Sequence, residues 1–167
     1  YSNPNGKTVI WGWKAGDSDV DNSSGSIAST CRSNPDAGFS IVQWTGTGSN
    51  ETIGHGLNQS PELIIISGGS TGIPLYHHKR SPAPSSLYLR LDSASTQSGG
   101  VFRNAEFTDS VFAVSGDNIV NKSGELMTAY VWHSVPGFSA IGSFEGNGNK
   151  YGPLVELGFR PAFVMFK

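Results

Sequence analysis

Asp17, Asp19 and Asp21 recur at every second position. In a tight loop that spacing aims three carboxylates at one hard cation, and calcium is the ion it suits. The rest of a helix-loop-helix calcium loop is missing: Asn22 stands at the sixth position in place of glycine, and Ala28 at the twelfth in place of a bidentate glutamate. An irregular calcium site and a solvated acidic loop both stand as readings. Glycoside hydrolysis needs two carboxylates flanking one bond. Here Glu62, Glu106, Glu125, Glu145 and Glu156 are scattered singly, and Glu106 with Asp109 is the nearest pair. There is no Gly-x-Ser-x-Gly elbow, no phosphate-binding glycine loop and no His-x-x-x-His or Cys-x-x-Cys spacing. His55 lies between two glycines with no second histidine or cysteine at ligand spacing. Cys31 is the single cysteine, so an internal disulfide is ruled out. The expectation is a protein with no catalytic set, and with no cofactor beyond that calcium.

The aromatics offer a different chemistry. Trp11 and Trp13 share one face of an alternating run, and Trp44, Tyr76 and Trp132 are the other rings able to stack on a sugar. Core packing is the competing use of the same side chains, because aromatics dominate β cores. The net charge is −2 with 14% charged residues and no basic run, which argues against phosphate neutralisation and so against nucleic acid. Anionic membranes are disfavoured for the same reason. His77-His78-Lys79-Arg80 is a local cluster of positive groups, small for an anion site and compatible with a solvated loop. No apolar run approaches the roughly 18 residues of a spanning helix. Asn22, Asn50, Asn58 and Asn121 match the Asn-x-Ser/Thr acceptor pattern.

The elements that must position these groups are strands. With 22 glycines and nine prolines among 167 residues, turn chemistry comes at short intervals, and helical periodicity is scarce. Val9 to Trp13, Phe39 to Trp44, Leu87 to Leu91 and Met127 to His133 alternate as half-buried strands, the three leucines of the third facing in. Leu63-Ile64-Ile65-Ile66 is apolar on both faces and belongs in the middle of a two-layer core. The composition predicts an all-β, antiparallel β-sandwich of the jelly-roll kind.

The chain also repeats itself. Gly38-Phe39-Ser40, Gly46-Thr47-Gly48, Leu57 and the run from Pro61 return as Gly137-Phe138-Ser139, Gly146-Asn147-Gly148, Leu157 and the run from Pro161, about one hundred residues on. Val9 to Trp13 similarly echoes the stretch ending at Trp132. The simplest parsing is the closing strand of one unit (1–14), a polar linker or insertion (15–37), a complete unit (38–136) and the opening strands of another (137–167), so that the chain reads as a segment of something longer. Terminal strands at Val9 to Trp13 and Phe163 to Phe166 then have edges to pair, within the chain or with a neighbouring copy in an oligomer or filament.

Trp11-Gly12-Trp13-Lys14, Ala37-Gly38-Phe39-Ser40-Ile41-Val42, Ile53-Gly54-His55-Gly56-Leu57 with Pro61, and Gly158-Phe159-Arg160-Pro161-Ala162-Phe163-Val164-Met165 resemble a repeat domain of marine bacteriophage structural and tail-fibre-like proteins, cyanophages included. That domain is similar to concanavalin A-like, laminin G-like jelly rolls and carries no established catalytic residues. The resemblance implies a virion or extracellular appendage protein whose partners are other virion subunits, as a homo-oligomer, and host-surface glycan. The expected function is a non-catalytic structural or adhesive module for assembly and host attachment. The alternatives are a secreted carbohydrate-binding module and a glycan-degrading tailspike fragment.

Overall fold

The computed structural model describes residues 12–69, 72–79, 87–91 and 97–166. Among the described residues ten strands form: β1 (Val20–Asn22), β2 (Ser29–Asn34), β3 (Phe39–Thr45), β4 (Glu51–Gly54), β5 (Leu63–Ser67), β6 (Pro74–His77), β7 (Leu87–Arg90), β8 (Gln97–Ser98), β9 (Val111–Val114) and β10 (Leu126–Trp132). One antiparallel layer runs in the order β1-β2-β3-β10-β5-β6-β7-β8, and β4 pairs with β9 as the second. Isolated bridges from Ile27 to Ile53 and from Phe102 to Val114 widen the smaller layer. The molecule is an all-β sandwich with a large and a small sheet.

Alternation decides what lies between the layers. Register sets Cys31, Val42, Ala129 and Ile66 in one row, and Ser40, Val131, Ile64 and Tyr76 in the next. Ile53, Phe112 and Val114 of the small layer close over them, all fully buried. Trp44 meets Phe112 edge-on, ring centroids 5.7 Å apart at 71°, the geometry the aromatic quadrupole favours. The apolar run at β5 lies inside the large sheet as expected, Ile64 and Ile66 facing the core.

Three expectations are corrected. Residues 15–37, expected as a polar linker or insertion, form part of the large sheet: β1 and β2 extend it, β2 pairing along β3 from Thr30–Gln43 to Asn34–Phe39. The inward residues there are Ser29 and Cys31, small side chains that give no apolar alternation to read. In β7 the face is reversed. Leu89 stands opposite Leu75, so Tyr88 turns into the core and Leu91 is 40% exposed. The third correction concerns 137–166, which form no strand beyond the bridge from Val135 to Ser139. In the complete unit β10 hydrogen-bonds between β3 and β5, and among the described residues no strand is paired with the second copy of their sequence. The expected strand at Val9 to Trp13 lies, up to Trp11, outside the described residues.

The Gly54-His55-Gly56 motif needs both glycines, for different reasons. A Cβ on Gly54 would fall 2.0 Å from Asn22 Oδ1, so β1 approaches there only because no side chain intervenes. Gly56 has φ +69°, the left-handed region, and its Cβ would lie 2.8 Å from Ser33 Oγ. Gly56→Ala is expected to cost about 1–2 kcal/mol from backbone strain, read as a lower urea midpoint at unchanged slope.

Candidate binding surface at the chain ends

The outer face of the large sheet is apolar where β3, β10 and β5 meet. Register sets Phe39, Trp132 and Leu63 side by side. Phe39 stacks on Trp132 with centroids 5.0 Å apart at 29°, and Tyr130 follows at 6.3 Å. Trp13 stands edge-on over Trp132 at 5.8 Å and 73°, and Phe163 meets Trp13 at 5.5 Å and 89°. Residues from both ends of the chain thus share one aromatic corner, where Trp13 remains 47% exposed.

The root of the tail is clamped beside this corner. Glu62 accepts from the Ser134 amide at 2.9 Å and from the Ser134 hydroxyl. Ser134 Oγ in turn accepts from the Ile141 amide at 2.9 Å, and His78 Nε2 lies 3.0 Å from the Ile141 carbonyl, to which it can only donate. Burial pushes the His77 imidazole pKa down, the neighbouring His78 adds to that, and the Gly142 backbone acts against it. The histidines of the His77-His78-Lys79-Arg80 cluster therefore face the tail; Arg80 lies outside the described residues.

A family model described as a domain of unknown function matches residues 1–167. The chain belongs to the DUF7483 family. No curated protein and no solved structure matches it.

In this DUF7483 domain the residues singled out for sugar stacking divide. Trp44 and Tyr76 are buried in the core, which leaves no ring face for a ligand. Trp13 and Trp132 are together at the aromatic corner, and Trp11 lies outside the described residues. The three aspartates do not converge. Asp19 takes Arg32 at 2.6 Å through Nε, which holds its carboxyl below the usual range. Asp17 lies 3.8 Å from Lys14, and Asp21 lines a shallow groove with Thr30 and Gln43. Among the described residues no group of three His, Cys, Asp or Glu side chains is gathered to hold a metal ion. Of the nearest carboxylate pair, Glu106 is bonded to Arg103 and Asp109 accepts from Ser110 Oγ at 2.8 Å.

Burial pushes the Cys31 thiol up, and its sulfur points to the Gly54 carbonyl at 3.3 Å. Both the pKa and the burial make it a poor nucleophile. His55 is fully buried, with Nδ1 accepting from the Leu57 amide at 3.1 Å. The Glu62–Ser134–Ile141–His78 clamp escaped sequence reading because its members lie far apart in the chain. Nothing in their local pattern marks them.

Proposed function

We propose that the chain is a non-catalytic structural or adhesive module of a phage particle or fibre, serving assembly and host-surface attachment in a virion or extracellular setting. Other copies and virion subunits are its partners. The observation that carries this reading is the tail, where residues 137–166 repeat the residue order of a complete unit and yet expose Phe138, Phe144, Val164 and Phe166. Repeat modules bury such surface only against a neighbouring unit, and exposed apolar patches mark interaction sites. The resemblance to phage structural repeats with a concanavalin A-like jelly roll points the same way. The test is co-purification: the chain is expected in stoichiometric amounts in purified particles from its native source. It is also expected to release no new reducing ends from host-surface glycan. New reducing ends, or a chain found only free in the medium, overturn the proposal.

A second reading, a secreted carbohydrate-binding module, is favoured by the half-exposed Trp13 ring at the aromatic corner. On that reading Trp13→Ala lowers glycan binding at least tenfold, the loss of about 1.4 kcal/mol of stacking. Unchanged binding across host polysaccharides removes it.

A further inference from the structure

On its outer side the large sheet changes character along its strands. At one end Phe39, Trp132 and Leu63 stand in one row, and Ile41, Tyr130 and Ile65 follow in the next. Two residues further on the row is polar: Asp21, Thr30, Gln43, Thr128 and Ser67 lie side by side across β1, β2, β3, β10 and β5. Beyond it Leu126 stands opposite Thr45 and is 60% exposed. A polar floor thus runs between two apolar banks, Tyr130 on one side and Leu126 on the other.

This floor carries a groove of about 470 Å³ whose lining includes Asp21, Thr30, Gln43, Thr45 and Leu126. Gln43 Nε2 donates to Thr128 Oγ1 at 3.2 Å, which holds the amide along the floor and leaves Oε1 and the second N–H for a ligand. Among the described residues the Asp21 carboxylate and the hydroxyls of Thr30 and Thr45 take no hydrogen bond. Thr30, Gln43 and Thr128 belong to strands paired on both sides. Their donors and acceptors are therefore fixed before a ligand arrives, and little freedom is lost on binding.

Charge decides against an anion. Arg32 and Lys122, the cations closest in sequence to the lining, are each paired, with Asp19 at 2.6 Å and with Glu125 at 3.2 Å, which leaves Asp21 as the charged side chain of the groove. A neutral ligand with hydroxyls along its rim and C–H groups on its faces suits both parts of the surface. The hydroxyls meet the carboxylate, the amide and the threonines, and a C–H face lies on a ring or a leucine. Tyr130, 37% exposed, is the diagonal neighbour of Gln43 on the same face, a separation aromatic and long side chains span. From Tyr130 to Asp21 is three strand spacings, roughly 14 Å, room for about three linked sugar rings.

From this geometry we infer that the strip from Tyr130 to Asp21 is a binding site for a neutral hexose oligosaccharide, a step that rests on the host-attachment role proposed above. Tyr130 carries one sugar ring by stacking. Gln43 and Thr30 exchange hydrogen bonds with the hydroxyls of the next, and Asp21 accepts from a vicinal pair at the far end. The same carboxylate turns away acidic glycans by like-charge repulsion. Trp13, which stands over Trp132 one row beyond Tyr130, takes no part.

Titration calorimetry on the full chain tests it, with cellotriose, maltotriose, a galactose trimer and purified host-surface polysaccharide as probes. At least one neutral probe is expected to bind. Gln43→Ala and Tyr130→Ala should each weaken that binding about tenfold while keeping a cooperative urea transition, and Trp13→Ala should leave it unchanged. A galacturonic acid trimer should bind more weakly than the galactose trimer, and Asp21→Asn should close that gap, an effect that a merely structural role for Asp21 would not produce. Loss of binding in Trp13→Ala with none in Gln43→Ala places the saccharide at the aromatic corner and overturns the strip. Substitutions that dissolve an oligomer while no saccharide binds make the strip an interface between copies, which overturns it too. A chain that binds none of the probes sinks the site, and co-purification with particles then leaves the proposed assembly role standing.

Discussion

Asn121→Ala is expected to lower the unfolding free energy by about 4 kcal/mol, the sum of two stranded buried donors and a small cavity. Asn121 is fully buried and its amide makes four side-chain bonds. Oδ1 accepts from Trp44 Nε1 at 3.0 Å and from the Thr47 amide at 3.2 Å. Nδ2 donates to the Ser49 carbonyl at 2.7 Å and to Thr47 Oγ1 at 3.2 Å. One side chain thereby ties the short helix Asn118–Asn121, which Asp117 caps through the Ile119 amide at 2.9 Å, to the core tryptophan and to the turn after β3. Truncation leaves Trp44 Nε1 facing an apolar core without an acceptor, and a fully satisfied network costs more to break than its pairs taken singly. The midpoint of thermal unfolding should fall by about 10 °C. Repeating the substitution in Trp44→Phe isolates the network. With the indole donor gone, Asn121→Ala should cost about 1–2 kcal/mol less; an equal cost in both backgrounds would mean that cavity formation accounts for the whole effect. The exposed Asn50, which accepts only from the Gly116 amide among its described side-chain bonds, serves as the comparison and should cost under about 1 kcal/mol.

The same residue shows where sequence reading ends. Asn121 is legible only as an Asn-x-Ser acceptor, whereas its burial closes it to modification in the folded chain. Its partners sit more than seventy residues away, and no local spacing announces them. Strands whose own residues alternate were legible: β3 with Val42 and Trp44 inward, and β10 with Met127, Ala129 and Val131 inward. β2 was not, because Ser29 and Cys31 occupy inward positions that small side chains fill as well as apolar ones, and pairing with β3 decides their face. The facing of Leu87 to Leu91 was misjudged because leucine outranks tyrosine on any hydropathy scale, while the register with β6 sets Tyr88 beside Tyr76. For the candidate site, the repeat marked the tail and Trp13 as counterparts of β3, β5 and β10. It could not show that the tail would hold its glycine turns and lack its ladder, since that depends on which strand lies alongside.

Acidification should remove about 3 kcal/mol of stability through His55 alone. Burial in the sandwich lowers its pKa from 6.5 to about 4; the Thr108 carbonyl and Asp109 oppose that shift, and the nearby His133 adds to it. Nδ1 accepts from the Leu57 amide, so the proton is on Nε2, which faces the Thr108 carbonyl at 3.4 Å. The folded state thus holds the neutral ring, while the unfolded chain binds a proton below pH 6.5. The contribution is complete above that value and is lost as pH falls toward 4, with about 2.5 kcal/mol gone by pH 4.5. His77, whose pKa is lowered in the same direction, adds to the loss. The control is His55→Gln, which keeps a donor for Thr108 and cannot titrate. It should be less stable than the parent at pH 7, because the Leu57 amide loses its acceptor, yet it should lose about 2.5 kcal/mol less between pH 7 and pH 4.5. Urea titrations of the two chains at both pH values read the difference directly. Equal losses would mean that His55 takes up its proton without unfolding the sandwich, and that the small layer opens locally around Gly54 and Gly56 to admit it.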